Sequence, residues 1–231
     1  TCEDLMDDVD NISEIISDAC QAIDFRTMQI GVHIPKDLME EEDAVRSRYG
    51  APGSNPLKAT FVEEIQATLQ PDSSDMEFVR ERPDVMILID TLTLRVEVYV
   101  RPVFIYGRYI KNSREIPQTR WPCRSCRGRK GGCEACESSG LQYLDSVQDL
   151  IGRPFVTGMG ALDTAFHGMG REDIDVRCLG GGRPFVLEVK SPRSRSPELS
   201  DYESIISSTC GGRVEVNSLR FSDRKEVARI K

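Results

Sequence analysis

Several features that would assign this chain to a common class of protein are missing from its sequence. No apolar run approaches the ~18–20 residues that a membrane-spanning helix needs, and no signal peptide is visible at the N-terminus. Together with the paired cysteines described below, which favour a metal over disulfides, these absences predict an intracellular, cytoplasmic protein that has no membrane partner.

Loops that bind nucleotide cofactors are also missing. In a dinucleotide or methyl-donor site, a glycine-rich loop follows a strand and opens a helix. The glycines Gly180, Gly181 and Gly182 instead precede a strand-like run at 184–189. No ATP-binding loop is evident either. We therefore expect no nucleotide cofactor, which disfavours enzymes of the methyl-transfer and thiolation types.

Histidine is scarce, with two residues, whereas cysteine occurs eight times. Two CxxC pairs, which six residues separate, contain Cys123, Cys126, Cys133 and Cys136. Such pairs can present four thiolates to one tetrahedral ion, which predicts a zinc knuckle. His33 and His167 are distant in sequence, so we expect a closed, structural Zn²⁺ site rather than a catalytic one. Disulfides or a redox pair are the alternative, which an intracellular chain disfavours.

Charge is unevenly distributed along the chain, whose net charge is −8. Residues 1–50 hold 13 acidic and 4 basic residues, whereas residues 101–131 hold 9 basic residues and one acidic residue, Glu115. A cationic segment of this kind is typical of nucleic-acid binding. Basic residues also surround the cysteines, where they either contact phosphates or stay solvated: Arg124, Arg127, Arg129 and Lys130.

Hydrophobic periodicity predicts an α+β fold. Helices are expected over residues 3–22, 57–70, 146–152 and 198–209. Strands are expected over residues 85–89, 94–100, 103–106, 184–189 and 214–221. The run 85–89 is continuously apolar, as in a strand that is buried on both faces. Residues 35–58 indicate a linker or loop, and Pro71 is expected to end the second helix.

Charged residues crowd into one short segment: Arg171, Glu172, Asp173, Asp175 and Arg177. A carboxylate flanked by guanidiniums beside a strand is costly to bury unless the protein uses it. Spacing alone leaves two interpretations open, a solvated loop with ordinary ion pairs or a functional site.

Distinctive segments follow one another along the chain: YGRYIKNSREIPQTRWP, the double CxxC, DSVQDLIGRPF and FHGMGREDIDVRCLGGGRPFVLEVKSPR. Together they resemble the archaeal, THUMP-containing tRNA pseudouridine synthases, whose eukaryotic relatives are called pseudouridine synthase ten. The resemblance covers residues 57–231 and is dense from Tyr106 onward. It implies a partial accessory region at 1–56, a THUMP-like RNA-binding module at 57–118, the zinc knuckle at 119–142, and the N-terminal part of a mixed α/β catalytic domain at 143–231.

The resemblance implies an isomerase that converts uridines fifty-four and fifty-five of the tRNA T-loop to pseudouridine. The motif GRED at 170–173 places the catalytic aspartate at Asp173, with Asp175 as an alternative that would face the other way in a strand. Arg171 would pair with the aspartate and help to hold the flipped nucleotide, and Arg177 would bind substrate. The four cysteines match the family's zinc ligands. The implied partner is the T-arm of tRNA, and we expect a monomer.

The chemistry of this reaction limits which groups an enzyme needs. Pseudouridine formation breaks an N-glycosidic bond and makes a C–C bond to the same base, so it requires no redox cofactor, ATP or metal. An ionised carboxylate can act as the nucleophile or base, and a neighbouring guanidinium would keep it ionised. We therefore expect no cofactor for catalysis.

The ends of the chain suggest a fragment. It begins at Thr1 rather than Met, and the family's pocket tyrosine is expected beyond Lys231. We predict that this fragment by itself is inactive or is unfolded beyond about residue 170. The alternative function is a non-catalytic, zinc-stabilised tRNA-binding module.

Overall fold

A computed structural model describes residues 5–50, 52–70 and 75–231. The chain divides into two compact units, Thr1–Arg101 and Pro102–Lys231. In the described residues, each unit has a four-stranded sheet and its own hydrophobic core. None of the described helices is both long and apolar enough to cross a membrane. Helices and sheets combine in both units, which confirms the α+β class.

The first unit has a mixed sheet with helices packed on it. Its main elements are α1 (Val9–Cys20), β1 (Thr27–His33), α2 (Lys36–Tyr49), α3 (Leu57–Leu69), β2 (Glu77–Phe78), β3 (Val85–Asp90) and β4 (Arg95–Val100). The strand order is β2-β1-β3-β4, in which β1 is parallel to β2 and β3, and β4 is antiparallel to β3. The predicted helices α1 and α3 are confirmed, and their apolar faces fill the core above β1 and β3.

The prediction of a linker over 35–58 is wrong for most of its length, because α2 occupies Lys36–Tyr49. Its residues are largely charged, and only Leu38 is buried. Ion pairs at i,i+4 spacing support the helix, with Lys36 Nζ 2.9 Å from Glu40 Oε1 and Arg46 Nε 2.7 Å from Glu42 Oε1. A solvated helix of this kind has too little apolar periodicity to be recognised from sequence.

The apolar run of β3 is buried on one face only. Val85, Ile87 and Ile89 are fully buried, whereas Met86 and Leu88 are each 38% exposed. The prediction of a strand buried on both faces is therefore wrong. Hydrophobic periodicity does not predict β1, and Pro71 lies outside the described residues.

The second unit is built on an antiparallel sheet. Its helices and strands continue to Ile230, so the expectation that the chain is unfolded beyond about residue 170 is wrong. Its main elements are β5 (Val103–Lys111), α4 (Val147–Met159), β6 (Asp163–Gly168), β7 (Cys178–Lys190), α5 (Leu199–Thr209), β8 (Val214–Ser222) and α6 (Arg224–Ile230). The strand order is β6-β7-β5-β8. α4 and α5 pack on this sheet, and their buried residues share one core with β5, β7 and β8. Gly180–Gly182, the weak candidate for a cofactor loop, lie within β7 rather than before a helix.

β5 is the central strand that organises this unit. Alternate residues from Val103 to Lys111 are buried, as the period of a strand requires. At Gly107 a Cβ atom would lie 2.7–2.9 Å from the Leu219 and Phe185 side chains, so only glycine lets these neighbours pack. Because β5 pairs with β7 and β8, residues 103–111 belong to the second unit. The units thus divide the chain at 101/102, whereas the sequence-based modules divide it at 118.

Candidate active-site loop and metal centre

The knuckle is a short loop closed at its base by backbone pairing. Pro122 and Leu141 form an antiparallel bridge. The N–H of Cys123 donates to the carbonyl of Gly140 at 2.8 Å, and the N–H of Gln142 donates to the carbonyl of Trp121 at 2.9 Å. These bonds bring the two ends of the knuckle side by side.

The four predicted cysteines converge inside this loop. Their sulfur atoms all lie within 4.8 Å of one another. Three of the separations are 3.9, 3.9 and 3.7 Å. A Zn–S bond of ~2.3 Å in a tetrahedron requires sulfur atoms about 3.8 Å apart. The residues present therefore fit a structural zinc site, with Cys123, Cys126, Cys133 and Cys136 as its ligands.

Backbone donors favour the ionised thiolates that bind a metal. Burial by itself would raise the pKa of Cys136, but N–H groups of Cys133 and Gly140 donate to its Sγ and lower the pKa to about 6. N–H groups of Cys126 and Ser125 similarly lower the pKa of Cys123. Burial and the neighbouring sulfurs raise the pKa of Cys133 to about 11. Cys123 and Cys136 are therefore the cysteines whose surroundings most favour the thiolate form that binds a metal.

The basic side chains around the knuckle face solvent. Arg124, Arg127, Arg129 and Lys130 are exposed, and none of them has an ion-pair partner in the described part of the chain. Their charges are therefore available to an anionic partner.

The charged segment 171–177 is a loop that precedes β7, and one of its acids is buried. The Glu172 side chain is only 3% exposed. Its Oε2 accepts hydrogen bonds from the Tyr109 hydroxyl at 2.7 Å and from Gln118 Nε2 at 3.2 Å. Arg183 Nε lies 3.4 Å from the same oxygen. Glu172 thus ties the loop to the interior of the second unit.

Further donors hold the loop backbone from below. Buried Lys111 donates from Nζ to the carbonyls of Asp173, at 3.2 Å, and Ile174, at 2.9 Å. Gln118 Nε2 also donates to the carbonyl of Gly170 at 3.0 Å. Burial lowers the pKa of Lys111, although the carboxylates of Glu172 and Asp175 partly offset this. The backbone of the GRED motif is therefore fixed by side chains from β5 and from the segment that follows it.

The two candidate aspartates lie on a tight turn. The N–H of Val176 donates to the carbonyl of Asp173 at 3.2 Å, as in a β-turn. The expectation that Asp175 faces away from Asp173 assumes a strand, and the turn removes that basis. Both side chains are exposed. Within the described residues the Asp173 carboxylate has no hydrogen-bond or ion-pair partner, so it is free to meet a substrate.

Arg171 lies over an aromatic ring rather than beside Asp173. Its guanidinium carbon is 5.1 Å from the centre of the Trp121 ring. Trp121 in turn contacts Tyr143 edge-to-face, with ring centroids 5.6 Å apart. The expected pair between Arg171 and Asp173 is thus not formed in this structure. Arg177 is exposed.

The residues that support the loop are not predicted from the sequence: Tyr109, Lys111, Gln118, Trp121, Glu172 and Arg183. Two of them carry a usable signal, because Tyr109 and Lys111 continue the alternation of buried positions along β5. A lysine at a core-facing position of a strand needs a partner, and that partner is the loop backbone. No comparable pattern in the sequence indicates that Glu172 is buried.

Both parts of the chain match family models. The model described as "Pus10 THUMP domain, archaeal" matches residues 12–90. The model described as "Pus10, C-terminal" matches residues 104–231. These matches confirm the resemblance drawn from the motifs.

Curated archaeal proteins named "tRNA pseudouridine synthase Pus10" are similar over most of the chain. The protein of Methanothermobacter marburgensis is 40% identical over 210 residues, which are 90% of this chain and 51% of that protein. The Methanocaldococcus jannaschii protein is 42% identical over 88% of this chain and 43% of its own length. The Methanopyrus kandleri protein is 35% identical over 100% of this chain and 53% of its own length. The chain therefore spans about half the length of these relatives.

Proposed function

The chain belongs to the Pus10 family, and on that premise we propose that the whole protein isomerises uridine to pseudouridine in tRNA, at positions fifty-four and fifty-five of the T-loop. One observation carries the proposal. The Asp173 carboxylate is exposed and unpartnered among the described residues, yet its backbone is held by the buried amine of Lys111. A reactive group on a fixed backbone is what positional catalysis requires.

Asp173 is the proposed catalytic residue. Its carboxylate either attacks the ribose carbon that bears the base or removes a ribose proton so that a glycal forms. In both routes the N-glycosidic bond breaks, the base rotates, and a C–C bond to the same carbon replaces it. Formation of that bond expels the Asp173 carboxylate in the first route, and in the second route Asp173 returns the proton to the ribose. The base proton displaced by that new bond is lost, the nitrogen is reprotonated, and no co-reactant is consumed.

Arg171 and Arg177 are the proposed substrate-binding residues. The target nucleotide must leave its stack, which costs a few kcal/mol. A guanidinium that fills the vacated space and pairs with phosphate lowers that cost. Arg171 already lies on an aromatic surface, and a guanidinium in this position can stack on a neighbouring base as well.

The proposed RNA contacts extend from the loop to the knuckle. The exposed basic residues of the knuckle, Arg124, Arg127, Arg129 and Lys130, would bind the T-arm. The first unit, which matches a THUMP model, would bind tRNA elsewhere. Zinc would hold the knuckle through its four cysteines and would supply no chemistry to the reaction. The proposal includes a monomeric enzyme in the cytoplasm.

Tritium release from uridine-labelled tRNA by the full-length protein tests this proposal. Asp173→Asn should reduce release to the level of a reaction without enzyme, while tRNA affinity stays within about twofold. Asp175→Asn, a matched change on the same turn, should retain most of the activity. Turnover by the Asp173 variant would remove Asp173 from the mechanism.

A non-catalytic tRNA-binding module is the second candidate, and the solvent-facing basic residues of the knuckle favour it. It predicts that the full-length protein binds tRNA tightly but releases no tritium. The same assay therefore separates the two functions.

A further inference from the structure

The metal-held knuckle and the GRED loop meet at one aromatic side chain, Trp121. Trp121 and Tyr143 flank the knuckle at its two ends, and their rings are in contact. Backbone bonds join the same two ends, through Gln142 to Trp121 and through Cys123 to Gly140. The position of the indole is thus determined by the closure of the knuckle.

The closure is connected to the cysteine cluster by short hydrogen bonds. The N–H of Gly140 donates to Cys136 Sγ at 3.3 Å, and the carbonyl of Gly140 accepts from the N–H of Cys123 at 2.8 Å. Gly140 therefore forms hydrogen bonds with two of the four candidate metal ligands, Cys123 and Cys136. A metal that fixes these sulfurs also fixes the base of the knuckle and the indole that extends from it.

Arg171 depends on that indole for its direction. The Arg171 side chain is exposed, and its ring contact with Trp121 is the interaction that orients it in the described structure. The next residue, Glu172, is anchored independently by Tyr109 and Gln118. The loop backbone therefore stays in place when the indole is lost, but the guanidinium does not.

We propose that Trp121 is a positioning residue through which the four-cysteine knuckle sets the orientation of Arg171. The bound metal acts on the loop by holding the indole under the guanidinium, not by touching substrate. The effect of this coupling on the reaction rests on the proposed function, in which Arg171 holds the flipped nucleotide. The coupling between metal, indole and guanidinium is a property of this chain and can be measured without any reaction.

Trp121 is the single tryptophan of the chain, so fluorescence excited at the red edge of the spectrum, where the tyrosines absorb little, reports on the surroundings of this indole. In the zinc-loaded 231-residue chain, Arg171→Ala should shift the emission to the red and increase quenching by acrylamide, because the guanidinium no longer covers the ring. After zinc is removed with EDTA, wild type and Arg171→Ala should have the same emission. Re-addition of Zn²⁺ should restore the difference between them.

Arg177→Ala is the matched control, because it removes the same charge from the same loop without touching the ring; its emission should equal that of wild type. Two outcomes overturn the proposal. One is an equal shift by Arg171→Ala with and without zinc, and the other is no shift with zinc bound. Far-UV circular dichroism of each sample verifies that the fold is retained.

Kinetics of the full-length protein extend the test to the reaction. Trp121→Leu should lower kcat about two- to fivefold, the factor that a cation–π contact at an exposed site carries, with KM unchanged. Trp121→Phe, which keeps a ring, should recover most of this loss. A Leu variant that loses stability but keeps kcat overturns the positioning role. An inactive wild type sinks the proposed function and leaves the fluorescence result to decide the coupling.

Discussion

Two neighbouring acids in the GRED loop have opposite surroundings. Glu172 is buried and accepts hydrogen bonds from two side chains, whereas Asp173 is exposed and unpartnered among the described residues. One residue gives the loop its position, and the other is left to react. A stability measurement can separate these roles without any substrate.

Glu172→Ala should lower the free energy of unfolding by about 1–3 kcal/mol, because it leaves the buried Tyr109 hydroxyl without its acceptor and removes the carboxylate that pairs with Arg183. Asp173→Asn, one position later, should change it by no more than about 0.5 kcal/mol, as for an exposed site. Urea unfolding of both variants tests the difference. Equal midpoints for the two would mean that Glu172 does not anchor the loop.

For single residues, the sequence predicts the contacts that depend on local spacing. The cysteines converge as expected, because two CxxC turns bring their sulfurs together without help from distant residues. The anchoring of Glu172 depends on Tyr109 and Gln118, which lie 63 and 54 positions earlier. The direction of Arg171 likewise depends on Trp121. Contacts of this range follow from the fold, so motifs alone cannot predict them.

Among the structural elements, the knuckle depends more on Gly132 than on the neighbouring Gly131. Gly132 has a φ of +62°, and a Cβ atom there would lie 2.4–2.6 Å from backbone atoms of Ser138. Gly131 has a φ of +86°, but nothing lies within 4 Å of its Cβ position. Both glycines relieve backbone strain, but only Gly132 permits the close approach of two chain segments.

Gly132→Ala should therefore weaken zinc binding by more than Gly131→Ala does. Left-handed alanine costs about 1–2 kcal/mol at either position, roughly 5- to 30-fold in zinc affinity if all of it is expressed there, and only Gly132→Ala adds a clash with the backbone of Ser138. Competition with a chromogenic chelator measures the affinity of both variants. Equal affinities would contradict the packing of Gly132 against Ser138.

Asp145 joins two elements of the second unit through arginines. Its carboxylate accepts from Arg213, which precedes β8, and pairs with Arg153 of α4, both at 2.8 Å. Burial alone would raise the pKa of Asp145, but these hydrogen bonds hold it below the ordinary value of 3.8. The folded state thus binds this proton less readily than the unfolded state.

The stability that Asp145 contributes is fully present above its unfolded pKa and is lost as the pH falls through its lower folded pKa. Between about pH 5 and pH 3, unfolding free energy should therefore decline less steeply in Asp145→Asn than in wild type. The difference should be about 1 kcal/mol or less, because the pair is partly solvated. Parallel curves for the two proteins would exclude this linkage.

Helices and strands are predicted correctly where one face of the element is apolar, and they are missed where no single face is apolar. α3 and α5 are predicted close to their bounds, whereas α1 begins at Val9, after the start predicted at residue 3, because a 3₁₀-helix occupies Leu5–Asp8. α2 is supported by ion pairs instead of apolar packing, so its sequence resembles a linker. β7 extends back through Gly180–Gly182, which resemble a turn when neighbouring strands are unknown.

For the whole molecule, the distribution of charge matters more than its sum. A protein of net charge −8 is repelled by RNA overall, yet the knuckle carries exposed basic residues that lack ion-pair partners among the described residues. Binding through such a patch releases counterions, so affinity falls steeply with salt.

Arg127→Ala combined with Arg129→Ala should flatten the plot of log affinity for tRNA against log salt concentration by roughly 1–2 units, since each lost phosphate contact accounts for about 0.9. Lys36→Ala is a suitable control, because Lys36 is paired with Glu40 in an acidic region. Filter binding from about 50 to 300 mM salt measures the slopes, the range in which such slopes are resolved. An unchanged slope in the double variant would remove the knuckle from the RNA contact surface.

The boundary between the two units depends on strand pairing between distant parts of the chain. Motif order places residues 103–118 with the RNA-binding module, because the basic and aromatic pattern there is typical of RNA contacts. In the structure, β5 pairs with β7 and β8, and Gln118 contacts the GRED loop. Strand partners far away in sequence decide this membership, as the Arg108–Gly181 contact across 73 positions illustrates.

The central place of β5 has a consequence for synthesis on the ribosome. Of the four strands that the described residues contribute to this sheet, β5 is made first and β8, which covers one of its edges, is made last. Until Val214–Ser222 has emerged, that edge presents unpaired N–H and C=O groups to any extended chain nearby. A product terminated between α5 and β8 would therefore carry the knuckle and the GRED loop on a sheet with its central strand uncovered. Its fate would be aggregation or proteolysis rather than partial activity.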